Sequence, residues 1–186
     1  MKVLIDANVL FPTVMREVVL GVARAGLFQP LWSPRILEEW ARAAARLDPL
    51  AEAQARAEIA RLQAAWPRAS VRHPPELEQR LWLPDPGDIH VLAAAIHGSA
   101  DIIMTVNAKD FPRHILAEEG LSRVDPDGYL QNCALSNPGP VTAVAQDVLD
   151  EARRLSGEDW TMRALMKKAR LPRLGKTLAT AQTPGP

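Results

Sequence analysis

The spacing of apolar residues changes several times along the chain, and each change predicts a different element. Residues 2–6, KVLID, are a β-branched and aliphatic run that predicts a buried strand ending at Asp6. Helical spacing follows over residues 14–25, with Gly26 as the stop. Residues 33–47, SPRILEEWARAAARL, open with Ser33 as a cap and Pro34 in the first helical position. Their apolar stripe is Ile36, Leu37, Trp40, Ala41, Ala44 and Leu47. Asp48-Pro49 interrupts that stripe, and an Ala-, Arg- and Glu-rich helix runs on to residue 65, ahead of Pro67. ASVRH, residues 69–73, predicts a second strand, and residues 74–84 read as loop or short helix. A helix over 86–97 stops at Gly98, and DIIMTV, residues 101–106, predicts the next strand. A short helix over 112–118 and a strand over 121–124 follow, and DPDGYLQNCAL begins a further helix with Asp125 or Asp127 at its cap. Beyond SNPGP, residues 136–140, the pattern is helical only, and ATAQTPGP, residues 179–186, has the composition of a disordered tail.

Strands alternating with helices across short loops predict an α/β fold, with a parallel sheet and helices on both faces. A chain of 186 residues has the length of one ordinary domain. Its formal net charge is zero, but residues 1–150 carry 14 Lys and Arg against 19 Asp and Glu, while 151–186 carry 8 against 3. The last segment, with Arg163, Lys167, Lys168, Arg170, Arg173 and Lys176, is therefore a candidate surface for a phosphate-bearing partner such as RNA, and a solvated helix face is the plainer alternative. A single cysteine, Cys133, excludes an internal disulfide and reads as a small packing residue. The opening MKVLIDANVLF is too short and too polar for a signal peptide, and no run reaches membrane-spanning length, so a cytoplasmic protein is expected.

In a parallel sheet, ligands collect outside the carboxyl ends of the strands. Asp6 closes the first strand, where its charge costs desolvation unless it gains a partner or a cation. Asn8 can face the same way. Thr105, Asn107 and Asp110 cluster after the later strand, at the same edge if the two strands are parallel. In LPDPGDIHVLAAAIH, residues 83–97, Asp85 fits the N-cap and Asp88 the third helical position, so both suit the positive helix end. That capping account is complete without any catalysis. Glu38 and Glu39 flank the apolar stripe at similar offsets, and periodicity leaves open which one turns inward. Trp66, Trp82 and Trp160 can stack bases, although buried packing is the plainer fate of each.

No one of these residues is specific, but their combination is. LIDANVL at residues 4–10, DPGDIHVLAAAI at 85–96 and TVNAKDFP at 105–112 resemble PIN-domain proteins, in the branch marked by DPxDxxVLAAA followed by TxNxKDF. The resemblance covers residues 1–135, leaving 136–178 as a C-terminal helical extension and 179–186 as the tail. It implies a three-layer α/β/α fold around a central parallel sheet of four to five strands. It also implies a metal-dependent ribonuclease, akin to VapC-like toxins of type II toxin–antitoxin pairs. Asp6 then matches the first catalytic acid, Glu39 the glutamate of the SPxILxE context with Glu38 as fallback, and Asp88 the third acid. The fourth position, often Asp in the toxins, is Asn107 here, with Asp110 nearby either supplying a carboxylate or fixing the loop. Asn8 and Thr105 match polar helpers. Asp6, Glu39, Asp88 and Asp110 would hold metal.

Oxygen donors without a cysteine or histidine cluster suit Mg²⁺ or Mn²⁺ rather than zinc. His73, His90, His97 and His114 lack zinc spacing, and His90 and His97 read as packing or surface residues. RNA is the implied substrate, with a cognate antitoxin and a homodimer as further expectations. Two other readings stay open. One is a degenerate PIN domain that binds RNA or protein without cutting. The other is a phosphohydrolase with Asp6 as nucleophile, whose usual second aspartate would fall on Asn8.

Overall fold

The computed structural model describes residues 1–181. In chain order the elements are β1 (Lys2–Ile5), α1 (Ala7–Leu10), α2 (Thr13–Arg24), β2 (Gln29–Leu31), α3 (Pro34–Ala45) and α4 (Pro49–Ala65). Next come α5 (Pro75–Gln79), a 3₁₀ turn (Pro86–Asp88), α6 (Ile89–His97), β3 (Ile102–Met104), α7 (Arg113–Glu118) and β4 (Ser122–Val124). The remainder is helical: α8 (Pro126–Ser136), α9 (Pro138–Ser156), α10 (Met162–Lys168) and α11 (Pro172–Ala181). The chain divides into two compact units, one of Met1–Phe11 with Gln29–Val124, the other of Pro12–Phe28 with the segment from Asp125 onward.

The first unit is built on a four-stranded sheet in the order β2-β1-β3-β4, every pair parallel. The expected α/β class is therefore present. Val3, Leu4 and Ile5 of β1 are fully buried, as are Ile103 and Met104 of β3. Val91 through Ala95 of α6 are equally inaccessible, which is why that helix reads as nearly continuous apolar sequence. Helix α3 starts where the sequence signals it, with Ser33 Oγ accepting from the Ile36 N–H at 3.2 Å, and buries Ile36, Leu37, Trp40, Ala41 and Ala44.

The second unit is all-helical. α2 packs with α8 and α9, and α11 packs with α8 and α10. Its core includes Val18, Val19, Leu130, Val141, Met166 and Leu174. Gly21 lets α2 and α9 approach closely: a Cβ at that position would collide with Val144. Asp125 caps α8 through the Gly128 N–H at 2.8 Å.

Two local expectations are corrected. ASVRH is not a strand; Ser70 makes one isolated bridge to Trp32, where β2 has already ended and Ser33 begins a helix. The strand lies instead at Gln29–Leu31, disguised by Pro30, which is tolerated because β2 is an edge strand. Residues 179–181, expected in the tail, are the last turn of α11, and 182–186 lie outside the described residues. The compact units also cut the chain differently from the 1–135 and 136–178 segments, since Pro12–Phe28 groups with the C-terminal helices. No helix among the described residues is long and apolar enough to cross a membrane.

Candidate active site

Because all four strands run the same way, their carboxyl ends share one edge, and Asp6 and Thr105 stand there at the ends of β1 and β3. The Asp6 backbone extends the ladder, its N–H donating to the Met104 carbonyl at 3.1 Å. Its side chain is 5% exposed. Oδ2 accepts from Thr105 Oγ1 at 2.7 Å and from Asn8 Nδ2. Asn8 is itself fixed, since Oδ1 accepts from the Val106 N–H at 3.1 Å and Nδ2 also reaches Thr105 Oγ1 at 3.1 Å. Burial raises the Asp6 carboxyl above its ordinary range, against the lowering effect of these donors, and Glu39 adds to the rise.

The turn before α6 carries two aspartates for which local sequence offers the same capping role, and which only the family resemblance separates. Asp85 accepts from the Gly87 N–H at 2.8 Å and starts the 3₁₀ turn. Asp88 was expected in the third helical position, sharing that capping duty. It sits at the junction of the turn and α6 and makes no side-chain cap bond. Its carboxyl is pushed up to about 6, first by burial and then by the charges of Asp6, Asp85, Asp110 and Glu39. Asp85, Asp88 and Asp110 each place a carboxylate oxygen within 4.8 Å of the others, the one such group among the described residues.

Asn107 does not stand free at the fourth acid position. Its N–H donates to Thr105 Oγ1 at 3.0 Å, and its side-chain amide donates to Asp110 Oδ2. Asn107 thus aims Asp110 into the cluster. Of the two glutamates, Glu38 is occupied by Arg42 and Arg56, which hold its carboxyl below the ordinary range. Glu39 instead contributes to the field at both Asp6 and Asp88, so it is the one on the acidic side of α3.

The site also involves residues assigned elsewhere on sequence grounds. His90, read as packing or surface, is fully buried, with Nε2 2.7 Å from Glu39 Oε1. The contact is short but bent out of hydrogen-bond alignment, and Nδ1 has no partner. An unsatisfied buried polar atom costs about 1–3 kcal/mol. Arg35 Nε lies 3.6 Å from the same glutamate oxygen, and Arg35 Nη2 donates to the Gly87 carbonyl at 3.4 Å. The signal for His90 was available: it is the one polar residue between Ile89 and Ile96, within an otherwise apolar helical run.

Trp82, expected to pack inside, is 65% exposed, whereas Trp66 and Trp160 are half-buried. In the helical unit, Arg163, Lys167, Lys168, Arg170, Arg173 and Lys176 are all exposed, and among the described residues none of their side chains forms an ion pair with a carboxylate. Lys168 covers the Trp160 ring at 4.5 Å. Burial raises the Cys133 thiol, which keeps it protonated.

Chemically, the site is an all-oxygen donor set whose members repel one another, and such a set suits a hard divalent cation. A family model described as a PIN domain matches residues 2–109. Comparisons with curated proteins and with solved structures returned no match.

Proposed function

The chain belongs to the PIN-domain family, and from that premise we propose that it is a Mg²⁺- or Mn²⁺-dependent endoribonuclease that hydrolyses RNA phosphodiester bonds. The observation that carries this reading is the crowding of Asp6, Glu39, Asp85 and Asp110 around Asp88, whose carboxyl is pushed up to about 6 by burial first and then by these charges. Capping explains Asp85 alone; it does not account for the other acids brought to the same place. Asp85, Asp88 and Asp110 would hold the cation, with Asp6 and Glu39 adding charge around it. The chemistry a divalent cation brings to such a site is activation of water and neutralisation of phosphate charge.

The chain's own residues do the positioning. Asn8 and Thr105 fix one oxygen of Asp6, and Asn107 fixes one oxygen of Asp110. Arg35 ties Glu39 to the turn carrying Asp85 and Asp88. The exposed cations of α10 and α11 supply sequence-independent attraction for an RNA backbone. Purified protein should cut RNA with Mg²⁺ or Mn²⁺ and stop in chelator, and Asp6→Asn should abolish the cut. Metal-independent cleavage, or an Asp6→Asn variant as active as wild type, would refute this reading. A toxin role with an antitoxin partner rests on family resemblance alone. Its test is co-purification of the chain with the product of the adjacent gene.

A further inference from the structure

Glu39 meets its neighbours through one oxygen. Arg35 Nε at 3.6 Å and His90 Nε2 at 2.7 Å both approach Oε1, and among the described residues no ion pair or hydrogen bond engages Oε2. The two contacts arrive from different elements, Arg35 from the first turn of α3 and His90 from the first turn of α6. Arg35 is itself braced. Its Nη1 lies 3.6 Å from Glu78 Oε2, and Glu78 Oε1 is 2.7 Å from His73 Nε2. Its Nη2 reaches the Gly87 carbonyl, one residue before Asp88.

Packing does not explain His90. Its neighbours Val91 to Ala95 are aliphatic and fully buried, and an aliphatic side chain would fill the same space without stranding Nδ1. At 2.7 Å two lone pairs would repel, so a hydrogen lies between the two atoms, on Nε2 when Glu39 is ionised. Groups around a cation commonly hold such donors one layer back, where they orient the carboxylate that does the binding.

We propose that His90, together with Arg35, is a positioning residue that takes up Glu39 Oε1 and leaves Oε2 as the single oxygen presented to the acidic cluster. The purpose of that oxygen rests on the metal-dependent nuclease reading, but the clamp is a property of the chain alone. The bent geometry fits this role, since catalytic hydrogen bonds often come into line only when the site is occupied.

With the histidine ring nitrogens labelled with ¹⁵N, Glu39→Gln should shift the Nε2 resonance of His90 and leave those of His97 and His114 in place. Mg²⁺ should move the same resonance in the wild type but not in Glu39→Gln. His90→Leu should melt no lower than wild type yet bind Mn²⁺ about 10–100-fold more weakly by calorimetry. His90→Gln, whose amide can donate, should recover part of that loss. An unmoved His90 resonance in Glu39→Gln, or wild-type Mn²⁺ affinity in folded His90→Leu, overturns the proposal. If His90→Leu fails to fold, the resonance experiment decides alone. Absence of RNA cleavage by the wild type would sink the nuclease reading while leaving these measurements to judge the clamp.

Discussion

Two helix starts in this chain are nearly the same sequence, and they have opposite fates. DPGD at residues 85–88 precedes α6, and DPDG at residues 125–128 precedes α8. In each, the first aspartate caps a glycine N–H at 2.8 Å, and the proline follows it. The second carboxylates differ. Asp127 is buried, and its two oxygens accept from the Arg173 and Leu174 N–H groups at 3.0 Å each, so it caps α11 from a distance in sequence. Asp88 accepts no cap bond and stands among four other acids. One acid is a finished structural contact, and the other is a charge without compensation from the protein. A carboxylate whose donors come from the fold has its role already; one surrounded by its own kind has none from the protein.

Substitution of the second aspartates tests this contrast most strongly. Asp88→Asn should lower RNA cleavage at least about 100-fold in a steady-state assay, without lowering the melting temperature. Asp127→Ala should do the reverse. Loss of two buried hydrogen bonds should cost about 1–3 kcal/mol, read by urea unfolding, while cleavage per folded molecule stays at wild type. If Asp88→Asn unfolds the chain and Asp127→Ala does not, the assignment of roles is inverted.

The pH dependence of stability gives a smaller effect with a definite sign. In chelator, the Asp88 carboxyl of the native state holds its proton up to about 6, above the ordinary 3.8. The native state therefore binds more protons in that window, and this group's contribution falls as pH rises from 3.8 through about 6. Paired carboxylates such as Glu38, held low by Arg56 and Arg42, act in the opposite direction. The difference between wild type and Asp88→Asn isolates the one group: it should grow in favour of the variant across the window and level off above it. Equal pH profiles would remove the electrostatic basis of the site. The smallest effect on stability belongs to Asp85→Ala, which should cost about 1 kcal/mol as a lost cap, while Mn²⁺ affinity falls with the lost oxygen donor.

Much of this was legible in the sequence, for physical reasons that differ by region. Ser33-Pro34 and the stripe from Ile36 to Ala44 announce α3 because capping and burial agree there. β2 was missed because Pro30 reads as a breaker, and only the sheet order reveals an edge strand that needs no donor on its outer side. Glu38 and Glu39 could not be separated by period alone, since Arg56 comes from a different helix to claim Glu38. His90 was passed over because a lone histidine on an apolar face gives no distance to its partner. Asp88 and Asp127 illustrate the same limit: local sequence names the cap, but the partners that decide each role lie 46 or more residues away or on other strand ends.

The stitching of Asp6 to Thr105 spans 99 residues. Its members are spread from residue 6 to residue 110, so a chain emerging from the ribosome carries no complete acidic cluster until more than half of it has been made. The first strand must wait for β3 before Asp6 has its hydroxyl partner, and for Asp110 before the group is whole. During synthesis the order of the chain thus keeps the acidic cluster in pieces until Asp110 has been added.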